Sequence, residues 1–163
     1  MNGATTPPIS TLTKRLGLVS LAALAAAGVT TAPLATAAKT TSRSLSASGE
    51  LKRTAKPSAL SSVQAGTVTG RPFGSGKMIL RSKLKQATVT STFTLSTKAG
   101  LVRGRATARL TLDGDTAHYK GTARITSGTR RYRGATGSSI RFTGVGPVSA
   151  KRTKITLSGR VRY

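Results

Sequence analysis

From Leu101 to Leu112 the chain alternates. Val102, Gly104, Ala106, Ala108, Leu110 and Leu112 are apolar or small, and Arg103, Arg105, Thr107, Arg109 and Thr111 stand between them. A period of two predicts a strand with one dry and one wet face, because successive side chains of an extended chain point to opposite sides. The next run repeats the scheme, with Ala117, Tyr119, Gly121, Ala123 and Ile125 inward and His118, Lys120, Thr122, Arg124 and Thr126 outward. Asp113-Gly114 between the two runs predicts a hairpin, since that dipeptide readily takes the positive φ angles of a primed turn.

Four further segments carry the same parity. Ile140, Phe142 and Gly144 alternate with Arg141 and Thr143; Ile155, Leu157, Gly159, Val161 and Tyr163 alternate with Lys154, Thr156, Ser158, Arg160 and Arg162. Earlier, Val89, Ser91, Phe93 and Leu95 alternate with threonines, and Met78, Leu80, Ser82 and Leu84 with Ile79, Arg81, Lys83 and Lys85. A strand over 63–70 completes a set of about seven in about 105 residues joined by short turns, a spacing that predicts an antiparallel sandwich or barrel. Glycine and alanine on the inward face favour a small barrel, because converging strands need small residues where the interior narrows. Residues 38–58 are rich in Ser, Thr and Lys. They predict a flexible basic arm ahead of a barrel domain over 59–163, or an irregular first strand that would use Leu45, Ala47 and Leu51.

The N-terminal 37 residues read differently. Lys14-Arg15 forms a short basic region, 16–29 is uncharged and Ala/Leu-rich, and Pro33 precedes the small residues Ala35-Thr36-Ala37. That order predicts a secretory signal peptide over 1–37 and an extracellular product whose attachment to the cell envelope would rest on its surface chemistry alone. Thr30 and Thr31 end the apolar run short of a membrane span, so no transmembrane segment is expected after processing. The chain has no cysteine, so an exported barrel must hold together by sheet closure and packing rather than disulfides.

Charge changes the picture most. Beyond residue 37 there are 25 basic residues, 27 in the whole chain less Lys14 and Arg15, against Glu50, Asp113 and Asp115, a net of +22. Self-repulsion on this scale disfavours the compact state and draws in anions. The outward set Arg103, Arg105, Arg109, Lys120, Arg124, Arg141, Lys154, Arg160 and Arg162 predicts a positive barrel wall, and Arg130, Arg131 and Arg133 extend it at one end. Guanidinium groups grip phosphate and carboxylate through two bonds. Stacking aromatics are not interleaved with these arginines, which argues against base reading.

The segment 125–144 carries four arginines around Gly128, Gly134 and Gly137, with Tyr132 and Ala135 as apolar contacts, and reads as primarily structural. The run Gly121-Thr122-Ala123-Arg124-Ile125-Thr126-Ser127-Gly128-Thr129, then Arg131-Tyr132-Arg133-Gly134-Ala135-Thr136-Gly137, resembles the G-x-x-x-I-x-G-G-T-G-R-Y/F-x-G-A-x-G segment of the allene oxide cyclase barrel-like and dirigent-like superfamily, small secreted bacterial members included. Phe142 and Gly144 follow at a fitting distance. Pro72-Phe73-Gly74-Ser75-Gly76, Phe93-Thr94-Leu95 and Gly100-Leu101-Val102-Arg103-Gly104 extend the resemblance over roughly 60–163. It implies an eight-stranded antiparallel β-barrel with a central cavity, and names no catalytic residue here. Ser127 and Arg130 replace glycines of the motif, and an arginine at positive φ is strained, so a reshaped turn is expected.

Candidate catalytic chemistry is sparse. His118 is the only histidine and parity sets it outward among basic neighbours. Asp113 and Asp115 flank a turn glycine with no further metal ligand in view. Ser82-Lys83-Leu84-Lys85 matches S-x-x-K, but positions three apart on a strand face opposite sides. Gly74-Ser75-Gly76-Lys77 lacks the spacing and helix of a phosphate loop. No catalytic residue, metal or cofactor is assigned. Phe93, Tyr119, Phe142 and Tyr163 face inward, as a pocket lining or as plain core. The leading expectation is a secreted, non-catalytic basic barrel that binds anionic polymers such as teichoic acid, acidic polysaccharide or, without sequence preference, nucleic acid. The alternative, from the resemblance, is a cyclase-like or dirigent-like protein guiding a small apolar substrate inside the barrel.

Overall fold

Along β5 (Gly100–Asp113) burial follows the parity of the sequence: Val102, Ala106 and Ala108 are buried, and Arg103, Arg105 and Arg109 are exposed. A computed structural model describes residues 40–148 and 152–163, with the side chain of Pro57 left out. The expected signal peptide over 1–37 lies outside the described residues. The other strands are β1 (Ser42–Ser58), β2 (Ser61–Arg71), β3 (Gly74–Lys85), β4 (Thr88–Thr97), β6 (Thr116–Gly128), β7 (Gly137–Pro147) and β8 (Arg152–Arg162). Every neighbour in the chain is an antiparallel neighbour in the sheet, and β1 pairs with β8 from Ser42↔Arg162 to Lys52↔Arg152. The sheet therefore closes as an eight-stranded barrel. Closure leaves no open edge, which gives a cysteine-free chain its hydrogen-bonded continuity.

Residues 42–58 are not a flexible arm. They form the 17-residue β1, bonded on one side to β2 and on the other to β8. The Ser- and Lys-rich composition that suggested an arm lies on outward positions such as Ser44, Ser46, Ser48 and Lys52, while Leu45, Ala47 and Leu51 are buried. The hairpin after β5 also differs in detail. Its two turn residues are Gly114 and Asp115, and of the expected pair only Gly114 takes a positive φ, +54°.

The core runs through the barrel as Leu45, Leu51, Val68, Met78, Val102 and Ile140 with their neighbours. Small inward residues make room for large ones: a methyl group on Gly104 would collide with the Phe93 ring and the Arg124 carbonyl oxygen. Leu112, expected inward, is 63% exposed because its end of the barrel is open.

The opposite end is closed by three aromatic rings from distant parts of the chain. Phe73 lies in the β2–β3 turn, Tyr132 in a short 3-10 turn (Arg130–Tyr132), and Tyr163 ends the chain. Their ring centroids lie 5.1 Å (Phe73–Tyr132) and 5.2 Å (Tyr132–Tyr163) apart, both edge-to-face, the favoured arrangement of aromatic quadrupoles. The Tyr132 hydroxyl donates to the Phe73 carbonyl oxygen at 3.3 Å. Arg43 covers the outside of Tyr163, 5.8 Å from the ring centroid. The arginine-rich segment is thus a plug carrier. Leu101 N–H donates to Thr129 Oγ1 and Thr129 N–H to the Leu101 carbonyl, each at 3.0 Å, and Thr136 exchanges two bonds with Arg162. Arg130 does take a positive φ, +53°, and of the three glycines Gly134 does so too, at +75°. Gly128 serves another purpose, since a side chain there would strike the Tyr132 backbone.

Candidate functional site: a cationic outer wall and an open cavity

Two surfaces carry the chemistry. The first is the outer wall. All twelve basic residues of the expected anion-binding set, Arg103, Arg105, Arg109, Lys120, Arg124, Arg130, Arg131, Arg133, Arg141, Lys154, Arg160 and Arg162, are exposed. Register decides how they group. Arg105 lies directly opposite Arg124, and Arg109 opposite Lys120. Like charges facing each other across a ladder repel, at a cost of about 0.2–1 kcal/mol per pair. Among the described residues the single ion pair is Arg152 Nη1 with Glu50 Oε1, 3.1 Å apart at the surface, so these cations have no protein counter-ion.

The same register builds a band around the wall. Val63 pairs with Arg81, Arg81 with Thr92, Thr92 with Arg105 and Arg105 with Arg124. Beside that row run Ser61, Lys83, Thr90, Thr107 and Thr122. Arg81, Arg105 and Lys83 stand among the short side chains of Ser61, Val63, Thr90, Thr92 and Thr107, leaving a depression of about 600 Å³ across β2–β5. A second depression, about 320 Å³, shares Arg105 and Thr107 and continues to Arg124 and the Ser138–Ser139 bulge of β7. Five strands spaced about 4.8 Å apart give the band a length of about 19 Å. Arg81 and Lys83 belong to this band although the anion-binding set read from the sequence omits them. Their outward parity on β3 was the available signal.

The second surface is the open end of the barrel, a cavity of about 310 Å³. Leu80, Leu84, Val89, Leu110, Phe142 and Ile155 supply apolar wall. Polar groups converge among them. Gln64 Nε2 donates to Thr153 Oγ1 at 3.1 Å, and the Ser82 and Ser91 hydroxyls pair at 2.8 Å. Arg53, two residues after the fully buried Leu51, points the same way, and its Nε is buried with no hydrogen-bond partner among the described residues. Burial pushes the Tyr119 phenol above its ordinary pKa, and the positive charge of Arg53 pulls part of that shift back. Arg53 is not among the candidates read from the sequence, where 38–58 predicts a flexible arm or an irregular first strand; of the two, the strand parity of Leu45, Ala47 and Leu51 points it inward.

The four inward aromatics do not form one lining. Tyr119 and Phe142 face the cavity, Phe93 packs deep in the core, and Tyr163 belongs to the plug at the other end. His118 is half-buried on the side of β6 away from the cavity, and Asp113 and Asp115 are exposed at the β5–β6 turn. Among the described residues no three acidic, histidine or cysteine side chains gather as a metal site. Glu50, which had no evident partner in the sequence, holds Arg152. The chain matches no protein-family model, no curated protein and no solved structure.

Proposed function

We propose that the processed chain is an exported, non-catalytic barrel that holds anionic polymers of the cell envelope or its surroundings along its outer wall. The observation that carries this reading is the band in which Arg105 and Arg124 face each other without a carboxylate, flanked by Arg81 and Lys83. A phosphate or carboxylate between the two guanidinium groups turns a repulsive pair into a bridged one. Serine and threonine hydroxyls in the depressions offer further bonds, and the absence of aromatic side chains among the lining residues of either depression supports an occupant without bases to stack. Binding is therefore backbone recognition, tolerant of sequence and sensitive to salt. The test is retention on poly(glycerol phosphate) beads over a series of salt concentrations. Retention should fall steeply, with a logarithmic slope near −0.7 to −0.9 per phosphate neutralised if nucleic acid polymers are a guide. Arg105→Ser/Arg124→Ser should weaken it more than Arg160→Ser/Arg162→Ser. Retention indifferent to salt would refute the reading.

The open cavity favours a second reading. The resemblance of 121–137 to allene oxide cyclase-like and dirigent-like barrels suggests a small apolar substrate held inside for cyclisation or coupling. The cavity and the converging Gln64, Thr153, Ser82, Ser91 and Tyr119 support it, being a largely apolar site with a few fixed polar groups. Mass spectrometry of a ligand recovered from the barrel separates turnover from storage. A ligand returned chemically unchanged counts against catalysis.

A further inference from the structure

The cavity is electrically unbalanced. Among the described residues, Arg53 and Lys56 are the charged ones that line it, and no carboxylate does. Lys56 is exposed at the rim, where water solvates it, but the Nε of Arg53 is buried and has no acceptor among the described residues. Buried donors in folded proteins nearly always find an acceptor, and the rest of the Arg53 guanidinium, half-buried and lining the cavity, is within reach of one supplied from outside. The nearby polar groups do not supply it. Gln64 and Thr153 bond each other, as do Ser82 and Ser91, and the phenol of Tyr119 is kept in its neutral form by burial.

The remaining surroundings define the rest of the ligand. Walls of Leu80, Leu110, Phe142 and Ile155 solvate no second charge, and about 310 Å³ lies at the lower end of small-molecule sites. We propose that the barrel cavity binds a compact amphipathic monoanion, an aromatic or alicyclic acid of one or two rings, with its oxyanion on the Arg53 guanidinium and its apolar body against Leu80, Phe142 and Ile155. A guanidinium presents a planar fork of donors that matches a carboxylate or sulfonate, and the bond strengthens where water is excluded. The proposal rests on the cavity being a ligand site, as the second reading does, but requires no turnover and is independent of the outer wall.

Two fluorescent probes with the same two-ring skeleton test it: naphthalene-2-sulfonate, an anion, and naphthalene-2-sulfonamide, which is neutral. Titrated into the folded chain, the sulfonate should bind about tenfold more tightly or better, the value of one buried charge-assisted bond. Arg53→Gln should erase that preference, Arg160→Ser on the outer wall should leave it, and high salt should weaken it little, because a buried contact is poorly screened. Circular dichroism confirms that each variant remains folded. A preference lost equally with Arg160→Ser or in high salt places the probe on the outer wall and overturns the proposal. Equal binding of both probes, unmoved by Arg53→Gln, overturns the anion requirement but keeps the cavity as a ligand site. Binding of neither removes both.

Discussion

Replacing Arg53 by leucine should make the empty barrel more stable. In the native chain a charged side chain enters a largely apolar cavity with its Nε unpaired. A buried donor without an acceptor costs about 1–3 kcal/mol, and leucine removes the donor while keeping most of the apolar contact made by the arginine stem. Arg53 is half-buried, so part of its guanidinium is still solvated, and the lower half of that range applies, about 1–2 kcal/mol. Each kcal/mol moves the melting temperature of a domain this size by about 4 °C, which gives a rise of about 4–8 °C. Urea is the denaturant of choice, because guanidinium salts would screen the cationic wall at the same time; the midpoint should rise at constant m. A second readout comes from Tyr119. Its phenol loses the nearby positive charge that lowers its pKa, so its ultraviolet titration should move to still higher pH in the variant. A lower urea midpoint would show that Arg53 is satisfied in the free protein and remove the ground for an anion at that site; a Tyr119 titration that does not move would show that the Arg53 charge does not act on the phenol.

Three other outcomes follow from the same contacts. Tyr132→Phe keeps the aromatic plug but strips the hydroxyl from the Phe73 carbonyl, and should cost about 1 kcal/mol in urea denaturation; no change would mean that the 3.3 Å bond contributes nothing. Arg105→Glu sets an acid opposite Arg124 and should stabilise the fold by about 0.2–1 kcal/mol at low ionic strength, a gain that should shrink as salt is added. A gain equal at all salt concentrations would point to something other than charge. Tyr119 should make stability fall in alkali. Its folded pKa is raised, so between the ordinary tyrosine pKa of about 10 and the raised value the folded chain holds a proton that the unfolded chain has released. Stability is lost as pH climbs through that window, and Tyr119→Phe should remove this part of the slope; an unchanged slope would contradict the buried phenol.

Parity was legible because it is local. A run such as Val102 to Leu112 states which side chains share a face, and any closed sheet must bury the apolar face, so the antiparallel barrel and the outward arginines could be read from 63 onward. The same rule extended back through Leu51, Ala47 and Leu45 would have placed β1 and turned Arg53 inward, but serine and lysine on its outer face obscured the signal. In the turn at 130–132 the departure from glycine was visible and a reshaped turn was the expectation, yet Arg130 itself takes the positive φ that its side chain disfavours.

What the sequence determined by itself is thus the alternation, the antiparallel connectivity of short turns and the sign of the outer field, all of which depend on residues a few positions apart. Only the tertiary structure decided that Phe73, Tyr132 and Tyr163 meet to close one end, that Arg105 faces Arg124, and that Arg53 is left unpaired in the other end. The physical reason is that a period of two fixes which way a side chain points but not which distant side chain it meets; that depends on strand register and closure, set by the whole sheet at once.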